Sequence, residues 1–205
     1  MSSLNSKEEA ADILAKAKVF VIDEEINLKT FELTKSIASR LLIAGAPDVA
    51  VIIDSKGGGI DIGLDIFDIL DTYPGHKTVI VYCRASSIAA VILQACDQRL
   101  CAQHASILVH DLHEDISLTI ARHPSKFAKW LKDSEKVQAK IYRILSERTG
   151  LSINKIRALS ERNKYLNPQE ALKHRLIDRI LTKSDMAKHF RPEVLQKLQK
   201  KATPN

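Results

Sequence analysis

Between Val81 and Leu93 the chain reads VYCRASSIAAVIL. Its left half continues KTVIVYC, a run apolar enough for a strand covered on both faces. Its right half, SIAAVILQACD, is apolar and suits a buried helix. Ser86 and Ser87 stand at the junction. A serine there can cap the helix by accepting an N–H bond. It can also be a nucleophile presented on a strand-to-helix turn, although the GxSxG string itself is missing. One hydroxyl suffices for the cap, and Ser86 is placed to supply it. Ser87 then lies in the first helical turn with its hydroxyl free, and the N–H of Ile88 points into the same space.

The same alternation recurs on either side. SKEEAADILAKA reads as a helix capped by Ser6, followed by the strand KVFVID. NLKTFELTKSIASRLLIAG has helical apolar spacing and stops at Gly45. DVAVIID is another buried strand, broken by SKGGG, and IDIGLDIFDILDTY is a helix ended near Pro74 and Gly75. RLCAQHASILVHD supplies two short strands, with His104 in a hairpin-like link. A long polar-rich helix covers Ser125 to Arg148 and ends at Thr149 and Gly150. SINKIRALSER is a short helix; LNPQEALKHRLIDRIL opens with Asn167 as N-cap and Pro168 at the first helical position, then runs into a last strand. Strand and helix in alternation give an α/β fold with a mostly parallel sheet. In such folds the chemistry gathers at the carboxyl ends of the strands. SKGGG, RASS and HD all fall there.

Composition narrows the class. The 205 residues are 45% hydrophobic and only 5% aromatic, enough for one domain with an aliphatic core. The N-terminus lacks a secretory apolar run, and no stretch is long and charge-free enough to span a membrane. Cys83, Cys96 and Cys101 make an odd count, which argues for a reducing compartment and against a disulfide framework. No Cys or His spacing matches a metal site. The net charge of +6 comes largely from the tail, where Lys183, Lys188, Arg191, Lys197, Lys200 and Lys201 face only Asp185 and Glu193. No aromatic platform accompanies it, which speaks against nucleic-acid binding. A single domain over 1–182 and a basic tail over 183–205 follow.

Three glycines in DSKGGGID, Asp54 to Asp61, free backbone N–H groups and permit positive φ. The segment is neither a phosphate loop nor a dinucleotide fingerprint, since Gly-Lys-Ser/Thr and GxGxxG are both absent. A nucleophilic serine needs a base. His110, at the end of SILVHD, is better placed than His76, His104, His113, His123, His174 or His189.

Taken in order, DSKGGGIDIGLDIFDIL, RASSIAAVILQA, ASILVHD, SERTG and NKYLNPQEALKHRLIDRI resemble the proteolytic subunit of the caseinolytic Clp protease family. The likeness covers roughly Val19 to Leu181. It implies a crotonase-like α/β fold with a long handle helix, and a serine-type endopeptidase without metal or organic cofactor. It also implies stacked heptameric rings in the cytoplasm that enclose the active sites and accept polypeptides, served by an ATP-driven unfoldase. By the same resemblance Ser87 is the nucleophile and His110 the base, with Gly57 and Ile88 donating the oxyanion N–H groups. Asn163 takes the place of the family aspartate.

Several residues depart from that pattern. Ile88 and Ala89 replace Met and Gly after the serine. Asn163 can accept an Nδ1–H bond from His110 but brings no charge, and so lowers the expected activity. Asp111, a strand neighbour of His110, points to the opposite face. The short N-terminal segment leaves little room for the family's axial loops. DISLTI alternates like a strand, as ring stacking requires. These departures motivate a second reading, a weakly active or regulatory ring subunit paired with an active paralogue. A third, an acyl-CoA-binding crotonase relative, explains neither Ser87 nor His110.

Overall fold

The computed structural model describes residues 2–113, 116–182 and 185, with side chains from Glu8 onward. A mostly parallel sheet flanked by helices organises it. Helix α1 (Ser2–Ala17) leads into β1 (Val19–Ile22). Then come α2 (Leu28–Ile43), β2 (Val49–Ser55), α3 (Ile60–Thr72) and β3 (Lys77–Ser86). The short α4 (Ile88–Ile92) tightens into a 3-10 turn at Leu93–Ala95, ahead of β4 (Gln98–Cys101) and β5 (Ser106–Leu108). The remaining elements are α5 (Leu118–Ala121), the handle α6 (Pro124–Thr149), α7 (Ile153–Glu161), α8 (Pro168–Lys173) and β6 (Arg179–Ile180).

The sheet order is β1-β2-β3-β4-β6, and every pair runs parallel. Strand β3 is long enough to hold two successive partners on one side. Its first part pairs with β4 and its last residues, Arg84 to Ser86, pair with β5. On its other side the register with β2 slips between Ile53 and Ser55. That irregularity turns the chain out of the sheet into the glycine loop. Val79, Ile80, Val81, Val51 and Ile53 are buried, as strands covered on both faces require. The core is aliphatic, with one edge-to-face aromatic pair of Phe20 and Tyr73 at 5.9 Å.

Local signals explain several boundaries. Asn27 accepts N–H bonds from Lys29 and Thr30 and starts α2. Asn167 and Glu170 form a reciprocal capping box ahead of α8, with Pro168 in the first turn. Gly150 closes α6 in the left-handed conformation at φ 67°. The buried Arg99 donates to both carboxylate oxygens of Asp178 and to Gln94, tying β4 to the segment that enters β6.

Four local expectations are corrected. Helix α1 begins before Ser6, which lies inside it. The link through His104 is not a hairpin, because β4 and β5 both run parallel to β3. The alternating DISLTI segment holds a helical turn over Leu118–Ala121, where Ser117 accepts the N–H of Ile120. The local cap outweighs the alternation of Ile116 to Ile120, which meets no partner strand among the described residues; Asp115 lies outside the described residues, as does most of the basic tail. At the junction the two serines exchange places: Ser86 ends β3 and Ser87 occupies the N-cap position of α4.

Candidate active site

Ser87 sits at φ 58° and ψ −130°, a conformation that costs a non-glycine residue about 1–3 kcal/mol. Such strain persists where surrounding structure fixes it. Here the Ser87 N–H donates to the Leu108 carbonyl at 2.9 Å, and the Ser87 carbonyl accepts from Ala90 at 3.0 Å. The side chain makes no cap bond, so its half-buried hydroxyl stays available. Ser86, by contrast, is buried, and its hydroxyl finds no partner.

The glycine loop reaches this turn. A Cβ built on Gly57 would lie 2.7 Å from Ser87 Cβ and 3.3 Å from its Oγ, so only glycine lets the loop approach so closely. The loop is strapped to the segment after β1: Ile26 N–H donates to Gly57 O and Gly59 N–H donates to Ile26 O. Gly57 and Gly58 adopt φ 99° and 154°. The Gly57 N–H is itself engaged by Ser55 Oγ at 3.1 Å. In this conformation the Gly57 N–H expected at the oxyanion is turned to that hydroxyl. Gly58 faces the cavity instead.

That cavity holds about 100 Å³ and is lined by Gly58, Ser87, Ile88 and His110, with Val91, Val109, Leu112 and Ile141 supplying apolar wall. The hydrogen bond from Ser87 to Leu108 places the turn beside the end of β5, and His110 follows two residues later. The three strand ends singled out in the sequence therefore meet at one point.

His110 is half-buried, and its Nδ1 lies 2.5 Å from the main-chain oxygen of Asp111. That oxygen accepts only, so Nδ1 carries the proton and Nε2 is left as a base. The His113 ring packs edge-on at 4.8 Å. The Asp111 side chain is engaged elsewhere: Tyr142 donates its hydroxyl to Asp111 Oδ1 at 2.5 Å. Burial first, and then that bond, raise the Tyr142 hydroxyl above the ordinary phenol range, so it stays a donor at neutral pH.

Asn163 is not hydrogen-bonded to His110. Leu166 and Ile107 form an antiparallel bridge with two hydrogen bonds, at 2.7 and 3.0 Å. Asn163 is exposed at φ 44°. The acceptor at Nδ1 is a main-chain oxygen that sequence alone gave no reason to choose. Tyr142 likewise carried no signal, being one of several apolar positions on the long helix.

A serine on a strained strand-to-helix turn, an imidazole and a glycine loop around one cavity place this chain in the class of α/β proteins built like serine hydrolases. The family model for Clp protease matches residues 5–184, and the chain belongs to that family, one of serine peptidases that assemble into oligomeric rings. It is similar to the ATP-dependent Clp protease proteolytic subunit 2 of Mycolicibacterium paratuberculosis (strain ATCC BAA-968 / K-10). The two are 26% identical over 194 residues, covering 90% of this chain and 96% of the relative.

Proposed function

We propose that this chain is the proteolytic subunit of an ATP-dependent Clp-type endopeptidase, with Ser87 as nucleophile and His110 as general base. Ser87 Oγ attacks the peptide carbonyl while His110 Nε2 takes its proton. The N–H groups of Gly58 and Ile88 hold the oxyanion, each worth about 3 kcal/mol in such sites. The proton then passes to the leaving amine, and water releases the acyl group from Ser87 by the reverse path. The Asp111 oxygen holds the tautomer, and Asn163 is a second, uncharged acceptor for the same N–H. The observation that carries the reading is the meeting of Ser87, His110 and the glycine loop around one cavity. A cavity of about 100 Å³ suits a peptide side chain and is well below the roughly 300 Å³ at which cofactor-sized ligand pockets begin, against the acyl-CoA reading.

Residues 1–182 are the catalytic domain, and the basic tail over 183–205 lies almost wholly outside the described residues. The chain works in a heptameric ring, stacked in pairs around a closed chamber, and an ATP-driven unfoldase feeds it polypeptides. Three free thiols suit the reducing cytoplasm. Among the described residues no helix is long and apolar enough to cross a membrane.

The exposed position of Asn163 favours one second reading, a ring subunit of low intrinsic activity that relies on an active paralogue. Purified protein given an unstructured fluorogenic peptide separates the two. Hydrolysis by the chain alone, abolished in Ser87→Ala, supports the first. Turnover that survives Ser87→Ala removes it, and activity only after mixing with a paralogue supports the second.

A further inference from the structure

We infer that Asp111 and Tyr142 act together as positioning residues for His110, replacing the carboxylate that Asn163 lacks; the inference rests on the serine-peptidase reading above. The segment carrying His110 leaves the sheet after Leu108 and, among the described residues, has no strand partner to fix it. Two side chains one turn apart on α6 hold it. Tyr142 donates to Asp111 Oδ1 at 2.5 Å, and Gln138 Oε1 accepts the Leu112 N–H at 2.7 Å. Positions four apart lie on one helix face, so both bonds clamp the same stretch of chain. Tyr142 is 6% exposed and its ring is covered by the Arg157 guanidinium at 5.9 Å, so the hydroxyl has little freedom to leave.

The consequence falls on the Asp111 peptide. With its side chain pinned by Tyr142 and the next N–H pinned by Gln138, the Asp111 carbonyl is bracketed on both sides. It is this carbonyl that receives Nδ1–H of His110. The histidine is thus held in the tautomer that leaves Nε2 basic by a neutral oxygen, whose direction is set from α6. Asp111 acts through its geometry and not through its charge.

Covalent capture of Ser87 by a fluorophosphonate tests this in the full-length protein as it assembles, resolved into the saturating rate kinact and the half-saturating concentration KI. Tyr142→Phe and Asp111→Ala should each lower kinact about tenfold, the order of one hydrogen bond, with KI within about twofold. The double variant should fall no further than either single, because both break one link. Asp111→Asn keeps an amide oxygen for Tyr142 and should label at least about fivefold faster than Asp111→Ala. A merely structural role would reduce the fraction of protein that labels and leave kinact of the remainder untouched. A kinact within about twofold of wild type in Tyr142→Phe overturns the inference, as does a fall in Asp111→Asn as deep as in Asp111→Ala. Wild-type protein that fails to label, or Ser87→Ala that labels equally, overturns the proposed function instead, so the two failures are told apart.

Discussion

Gly63→Ala is expected to loosen the protein at the base of its active site. Gly63 is buried in α3, and a Cβ built there would lie 2.2 Å from Ile88 Cγ1, 3.1 Å from Cγ2 and 3.2 Å from Cβ. Carbon atoms prefer roughly 3.5–4.0 Å, so the overlap exceeds an ångström. Ile88 cannot swing aside. It is β-branched, 2% exposed, and followed by buried Ala89, Ala90 and Val91. Helices α3 and α4 must part, or Ile88 must shift. Overpacking of this kind costs about 1–3 kcal/mol, and the better helix propensity of alanine returns up to about 1. A net loss of about 1–2 kcal/mol lowers Tm by about 2–8 °C for a chain of this length. The Ile88 N–H is the proposed oxyanion donor, so peptide turnover should fall with Tm, by about tenfold or more. Thermal denaturation and hydrolysis of an unstructured peptide measure the two effects. The contact itself is isolated by Ile88→Ala, which opens space at the same place: the double variant should lose less stability than the sum of the two singles. A Gly63→Ala protein that melts at or above the wild-type temperature with full turnover would refute the packing argument.

Asn163→Asp should raise peptide turnover, because a carboxylate that reaches His110 can stabilise the imidazolium; unchanged or reduced turnover would remove Asn163 from the account. Arg99→Ala should cost about 3 kcal/mol, since it strips a buried guanidinium from Asp178 and Gln94, and a fall in Tm of under about 2 °C would contradict this. Burial works to raise the Asp178 carboxyl, but the Arg99 bonds prevail and hold it below the ordinary range. Its folded pKa is therefore under the unfolded one. The stability it contributes is present above about pH 4 and lost as pH falls through the folded value, so Asp178→Asn should flatten the acid limb of Tm against pH. Burial pushes the thiols of Cys96 and Cys101 up to about 12, while Cys83 is exposed. A thiol reagent should therefore modify at most one cysteine quickly in the native protein and all three in denaturant; two fast native thiols would contradict the burial.

The parallel sheet was legible because DVAVIID and KTVIVYC are apolar on both faces, a pattern with few other uses. The meeting of three loops followed from topology, since parallel strands end on one side. Finer placement was less legible for identifiable reasons. Ser86 and Ser87 differ by one position, and a strand boundary cannot be read that closely; the strained turn claimed the second serine because its N–H reaches Leu108. Gly57 seemed free until Ser55, next door in sequence but turned by the bulge, took its N–H. DISLTI alternates like a strand, yet a cap at Ser117 makes a helical turn. Alternation was the wrong rule for Asp111, because β5 ends at Leu108 and the contact is made by the Asp111 carbonyl, on which side-chain alternation is silent.

The most direct measurement is the location of a fluorophosphonate adduct by mass spectrometry on the intact, assembled protein. The account expects one phosphonylated residue, Ser87, with labelling abolished in Ser87→Ala and slowed about 100-fold or more in His110→Ala. An adduct on any other residue, or labelling of Ser87 that is indifferent to the loss of His110, would contradict it.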